Sequence, residues 1–163
     1  LFSKFLFAAD SVTGFWKIID DETGKARSIV ALYTYQEKLF GRIIVTFDEA
    51  EKVKNTIYKP DMTADARAEK LPGKPFFAGL DMIWNLQKDK SKTKWVKGRI
   101  LDPKKARVYS SEISFDEKNQ RLVVRGKIGP IGRNQFWVKT SEEDFPEGFV
   151  LPNTDEWVPK IPK

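Results

Sequence analysis

The sequence predicts an all-β protein, an eight-stranded antiparallel up-and-down barrel between Gly14 and Lys139, with a short helical insertion after strand three and a C-terminal tail packed on the wall. Three observations lead there. Short segments of alternating apolar and polar residues recur along the chain, which is the period of a half-buried strand. Turn-forming clusters at hairpin spacing separate them, such as Asp20-Asp21-Glu22-Thr23-Gly24-Lys25 and Gly129-Pro130-Ile131-Gly132. Finally, 163 residues with 40% hydrophobic and 13% aromatic side chains are enough for one domain with a core that needs no cross-links.

The opening strand is Gly14-Phe15-Trp16-Lys17-Ile18-Ile19-Asp20. Alternation puts Trp16 and Ile18 on one face and Phe15, Lys17 and Ile19 on the other. A glycine just ahead of a tryptophan lets the indole plug one end of a closed sheet while its N–H seeks a partner; a tryptophan in a sandwich core is the plainer alternative. Strand two runs from Arg27 to Tyr35 and strand three from Leu39 to Phe47.

From Asp48 to Ala78 the pattern breaks. Asp48 to Asn55 could hold a short helix and Thr63 to Lys70 an Ala-rich helical turn, between the loop signals Lys59-Pro60, Leu71-Pro72-Gly73 and Lys74-Pro75. So long a connection in a compact domain is the signature of a lid or binding loop. Strands then follow at Leu80 to Gln87, Lys94 to Leu101, Arg107 to Phe115, Arg121 to Ile128 and Arg133 to Lys139. The tail from Thr140 to Lys163 is Pro-rich yet carries Phe145, Phe149, Val150, Leu151 and Trp157, so it is expected to lie on the barrel wall over Phe15 and Ile19.

Residues 1–9 are apolar and end in Ala8-Ala9 ahead of Asp10-Ser11, the form of the distal part of a secretory signal; an amphipathic helix on the barrel mouth is the alternative. The expected layout is therefore a leader over 1–9, a barrel over 10–139 and an extension over 140–163, in a secreted or periplasmic protein. No other stretch approaches the length of a membrane span.

Histidine and cysteine are both absent, which removes disulfides, thiolate chemistry and the commonest general base and metal ligand. Carboxylate pairs such as Asp20 with Asp102, or a Ser–Lys pair, fall at turns, where shaping the backbone explains them. The expectation is a protein that is not an enzyme and holds no cofactor or metal. Gly126, Gly129 and Gly132 read as turn formers, not as a phosphate-binding fingerprint. The net charge of +6 is spread along the chain. Five lysines with Trp95 between Lys88 and Lys97 resemble a single-strand nucleic-acid platform, but lysine-tipped hairpins also keep sheet edges soluble, and no nucleic-acid partner is expected.

A barrel of this size holds packed side chains or one small ligand. In the binding reading Trp16, Tyr33, Phe40, Trp84, Val96, Tyr109 and Phe136 face inward, and Arg42, Arg99 or Arg107 at the mouth holds a ligand carboxylate. The ligand would be small and hydrophobic, fatty-acid or lipid-like, and the protein a monomer or weak dimer. The rival is a filled barrel acting as a protein-interaction module through its outer wall and the Phe145 to Trp157 tail.

Several landmarks then come together: Gly14-Phe15-Trp16-Lys17 with Ile19 to Lys25, Ser28-Ile29-Val30, Gly79-Leu80 with Trp84, Gly98 with Ile100-Leu101-Asp102-Pro103, Val124-Arg125-Gly126 with Ile128-Gly129, and Gly132-Arg133 with Trp137. With these the chain resembles, over roughly residues 12 to 138, a family of small secreted bacterial proteins of unknown function with a lipocalin-like, calycin barrel. The resemblance implies an arginine packed over Trp16, Arg133 first and Arg125 second. Cysteines that such proteins carry after the third strand are missing here, so no disulfide or metal role transfers. The tail beyond Lys139 is longer than the resemblance implies.

Overall fold

A computed structural model describes residues 12–91 and 93–162. The expected leader over 1–9 lies outside them.

Among the described residues nine strands form one antiparallel sheet: β1 (Gly14–Ile19), β2 (Ala26–Tyr35), β3 (Lys38–Phe47), β4 (Val53–Thr56), β5 (Asp81–Lys88), β6 (Lys94–Asp102), β7 (Arg107–Asp116), β8 (Arg121–Ile128) and β9 (Ile131–Lys139). The neighbour order is β2-β1-β9-β8-β7-β6-β5-β3-β4, and β2 also pairs with β3. That last pairing closes eight strands into a barrel and leaves β4 outside the ring. β3 is shared along its length, with Leu39, Gly41 and Arg42 meeting β5 and Val45, Thr46 and Phe47 meeting β4.

The expected helix over Asp48 to Asn55 is instead a turn followed by β4, and residues 63–70 form turns and a bridge between Arg67 and Phe76 rather than a helical turn. Among the described residues the only helical element is a single 3-10 turn, Glu142–Asp144. The reason is local. Val53 and Thr56 are β-branched, and a strand offers them the sheet edge of β3, which outweighs the weak helical preference of Glu49-Ala50-Glu51. Ala66 and Ala68 are buried under the connection, so their small size serves packing and not helix propensity.

Most turns share one device. Asp20, Asp48, Asp89, Asp102 and Asp116 each sit at the start of a turn with a carboxylate oxygen accepting backbone N–H groups two to five residues ahead, as in Asp20 Oδ1 to Glu22 at 2.8 Å and Thr23 at 2.9 Å. The Thr23 amide, then the Arg27 side chain, hold the Asp20 carboxyl far below the usual carboxylate range. A group so firmly charged and so occupied is a turn former.

Residues paired across a ladder share a face. The rows Phe115–Leu122–Trp137–Ile18 and Trp95–Ile113–Val124 are therefore inward, and they join Val30, Leu32, Leu39, Ile83 and Leu86 in the main core. Trp16 closes one end: its indole N–H donates to the Val12 carbonyl at 2.8 Å, and its ring meets Phe115 edge-on at 6.2 Å. Gly98 is required here, because a Cβ at that position would sit 2.4 Å from Leu86 Cγ.

A second, smaller core lies outside the barrel. Ile29, Ala31, Ile44 and Val45 form an outward-facing patch covered by Phe145, Phe149 and Trp157 of the tail, together with Phe15, Phe47, Val53 and Ile57. The tail thus lies on the wall as a strap, over Phe15, whose ring meets Phe145 edge-on at 6.3 Å.

Candidate functional site: the strap and the cleft beneath it

The strap is fixed at two places. Near its start Asp144 accepts a 2.8 Å hydrogen bond from Lys17 Nζ. Burial raises the Asp144 carboxyl, but the Lys17 ammonium and the Ser141 hydrogen bonds together outweigh it and the net shift is downward. Farther along, Asp81, with a side chain 0% exposed, accepts from Tyr33 Oη at 2.7 Å, from Arg42 Nη2 at 3.0 Å and from the Lys160 backbone N–H at 2.8 Å. Arg42 also donates to the Val158 carbonyl at 3.0 Å and lies over the Trp157 ring at 4.4 Å, while Trp157 meets Tyr33 edge-on at 5.1 Å. A buried carboxylate needs such a set of donors to stay charged. Burial first, and the Asp81 carboxylate second, push the Tyr33 hydroxyl well above its usual range, so it stays a donor. For Arg42, burial, the largest single effect, favours the neutral form, yet the hydrogen bond and charge of Asp81 together with Tyr33 outweigh it and the guanidinium is held charged more firmly than usual.

Between strap and wall run two adjoining clefts that share Val53. One, of about 410 Å³, is polar and lined by Lys17, Ala26, Phe47, Glu51, Lys52, Glu143 and Asp144. The other, of about 650 Å³, has an apolar lining of Val53, Met62, Phe149 and Val150 with Tyr58, and carries Lys54 and Lys59 on its margin. The Tyr58 hydroxyl donates across it to the Val150 carbonyl at 2.7 Å. In its β4 wall is a polar chain of fixed direction. Lys54 and then the Thr63 hydroxyl hold the Asp65 carboxyl below its usual range, so the Thr63 proton points to Asp65 and the Thr63 oxygen is left to accept Asn55 Nδ2 at 3.0 Å. Asn55 Oδ1 is thereby left as a buried acceptor without a donor.

The barrel interior is different. A side chain bordering a water-sized void keeps some accessible surface, and the inward Leu39, Ile83, Leu86, Ile113, Leu122 and Trp137 all have 0%. They leave no space beside them, whereas the inward Ile18, Trp95 and Ile100 keep 8%, 8% and 9% and Tyr109 is half-buried.

Of the twelve side chains expected at a ligand site, Trp16 and Tyr109 lie on the inward face, Tyr109 half-buried where a Cβ on Gly126 would reach it at 3.7 Å. Tyr33, Phe40 and Arg42 are brought together, but on the outer wall beneath the strap. Phe136 also faces out, with the Arg121 guanidinium 3.8 Å above its ring. Trp84 and Arg99 share an outer row with Ser110, to which Arg99 donates at 2.9 Å. Val96, next to the inward Trp95, faces out opposite Gln87, and Arg107 is exposed at the start of β7. The expected arginine cover over Trp16 is absent. Arg133 pairs with Asp21 at 2.5 Å and Arg125 donates to Asn134 at 3.0 Å, whereas the cation near the indole is Lys139, at 5.9 Å. Register explains it: Lys139 is paired with Trp16, and Arg133 lies six residues away along β9, about 20 Å at strand rise.

The Asp81 network and the apolar cleft went unread in the sequence. An aspartate opening an otherwise apolar strand, Asp81-Met82-Ile83-Trp84, was the available signal.

With the geometry in place, comparison with known proteins is informative. A protein family described as "Uncharacterized protein conserved in bacteria (DUF2147)" matches residues 14–139. The chain belongs to this family. The match spans the closed barrel from the first strand to the last and stops where the strap begins. Among solved structures, the chain is similar to protein HP1028 from Helicobacter pylori, which is described as belonging to the lipocalin family, with a TM-score of 0.60, 14% identity, and coverage of 82% of this chain and 85% of that one. At that identity the likeness concerns the fold: an all-β, lipocalin-like closed barrel of eight antiparallel strands. No protein of curated function matches.

Proposed function

We propose that this family member is a non-catalytic, exported binding protein for a small hydrophobic ligand, and that the ligand sits in the cleft beneath the strap and not inside the barrel. One observation carries the reading: an apolar cleft of about 650 Å³ lies open on the outer wall, while Leu39, Ile83, Leu86, Ile113, Leu122 and Trp137 pack the barrel interior at 0% exposure. Its volume is that of an ordinary small-molecule site, which is mostly apolar with a few polar groups to fix orientation. Lys59 supplies positive charge for a ligand carboxylate, Lys54 being paired with Asp65 at 2.6 Å. Export rests on the apolar 1–9 stretch with its Ala8-Ala9 end; fractionation of cells carrying the complete gene tests it, and a wholly cytoplasmic protein would refute it.

Titration with a fluorescent long-chain fatty acid tests the site. Met62→Glu places a charge on a side chain already 63% exposed, so folding is spared, and it should weaken binding about tenfold, the equivalent of 1.4 kcal/mol. Tyr109→Trp, on the inward face, should leave binding unchanged. The reverse pattern would return the ligand to the barrel. A second reading, a protein-interaction module, draws on the exposure of Tyr58, Met62, Val150 and Leu151 around the same cleft, since aromatic and Met side chains are enriched at protein interfaces. Absence of fatty-acid binding together with capture of a discrete partner that Met62→Glu abolishes would favour it.

A further inference from the structure

The rim of the barrel opposite Trp16 carries a feature that ligand binding does not use. β8 and β9 are joined by Gly129-Pro130, and the residues flanking this turn, Ile128 and Ile131, pair with each other across it. They are 58% and 77% exposed. Hairpin tips are ordinarily polar, and the Asp-capped turns of this chain follow that rule, but this one presents two β-branched aliphatic side chains to water. The neighbouring strand adds a third. Ser110 pairs with Lys127, so Val108, 50% exposed, is level with Gly129 on a strand about 4.8 Å away.

Positive charge flanks this apolar tip on the β6–β7 side, while the β1–β2 turn beside β9 carries the exposed Glu22. Lys104, Lys105 and Arg107 belong to the adjoining β6–β7 turn and the start of β7, all exposed and none in an ion pair among the described residues. Three acids of the adjoining strands and turns are engaged. Asp102 accepts the backbone N–H groups of Lys104 and Lys105, both at 3.1 Å, Glu112 holds Lys127 at 2.8 Å, and Asp21 holds Arg133. The sector from β6 to β9 is therefore an aliphatic knob with a basic collar on its β6–β7 side.

We propose that this sector docks on an anionic lipid surface, with the Ile128–Ile131 tip entering the interface and Lys104, Lys105 and Arg107 meeting the headgroups. Apolar side chains flanked by Lys and Arg are what a peripheral protein sets into a bilayer boundary, and basic residues near such a surface strengthen attachment. Docking this way leaves the strap cleft on the side wall free, so the inference is independent of the ligand reading.

Co-sedimentation of the full chain with vesicles tests it. Binding is expected to vesicles of phosphatidylcholine with 30% phosphatidylglycerol, at about 0.1 M salt, and to be largely lost on phosphatidylcholine alone or at 0.5 M salt. Lys104→Glu with Lys105→Glu should lower partitioning by roughly fivefold or more per residue. Ile128→Ser with Ile131→Ser should lower it about tenfold at unchanged charge, and since both side chains are exposed, the thermal midpoint should hold. No binding to anionic vesicles, equal binding to neutral ones, or indifference to the isoleucine variant would each overturn the proposal. So would equal retention on single-stranded DNA by wild type and isoleucine variant with no vesicle binding, because that pattern needs only the basic collar.

Discussion

Removing the charge of Arg42 while keeping its bulk, as in Arg42→Met, isolates the Asp81 network that clamps the strap. Asp81 is 0% exposed and Arg42 15%. The variant leaves a buried carboxylate without its cation, a change that typically costs 3–5 kcal/mol. Tyr33 Oη and the Lys160 N–H still donate to Asp81, so the low end applies, about 3 kcal/mol. For a chain of 163 residues that is a fall in Tm of roughly 6–12 °C. Replacing both partners, Arg42→Met with Asp81→Leu, removes the stranded charge and should restore most of the loss, since apolar groups of similar size often substitute for a buried pair at little cost. Urea denaturation of wild type, both single variants and the double variant gives the coupling energy directly. A single-variant loss under about 1 kcal/mol, or a double variant no more stable than Arg42→Met, would show that Asp81 is not held as a buried charge and would refute the reasoning.

Gly98→Ala should destabilise by about 1–3 kcal/mol, as overpacking does, because the new Cβ meets Leu86 and the Trp84 carbonyl at 2.9 Å; chemical denaturation measures it. Trp16→Phe keeps a ring but loses the donor to Val12, so about 1 kcal/mol plus the smaller ring's lost packing is expected from the same assay. Asp144 titrates lower in the folded protein than its ordinary 3.8, chiefly through Lys17. The sign follows: the unfolded chain takes up the proton first, so the Lys17–Asp144 contribution is complete above that value and is lost as pH falls through the lower folded one. Proteolytic release of the strap should rise only below about pH 4, and Lys17→Met should remove the part of that rise due to Asp144; a release that begins near neutral pH in the wild type would contradict the assignment.

Strand order, turn positions and the strap were legible because each rests on local chemistry. The alternation of Leu80 to Gln87, the Gly and Asp residues of the turns, and the large apolar groups of the tail act within a few residues of one another. Which face of a strand is inside was not legible, since β2 and β3 are apolar on both: Val30 and Leu32 feed the barrel, Ile29 and Ala31 the strap. Tyr33 and Phe40, expected to face inward, and Arg42, expected at the mouth, therefore lie together on the outer wall beneath the strap. The arginine cover expected over Trp16 failed for the same kind of reason. Register across β9 is a long-range quantity, and it brings Lys139 to the indole. Asn55 and Asp81 escaped notice because their importance lies in burial, which a polar letter in a sequence does not announce.

The strap changes where this protein can be cut. The family match ends at residue 139, and a fragment trimmed there would hold every strand of the barrel. It would also lay bare Ile29, Ala31, Ile44 and Val45 on the outside of β2 and β3, and strip Asp81 of the Lys160 amide. Exposed apolar faces of that kind drive association. Expression boundaries, C-terminal tags and partner screens for this family member thus bear on its solubility and not on convenience alone, and a barrel produced without residues 140–161 would offer partners a sticky surface that the intact chain conceals.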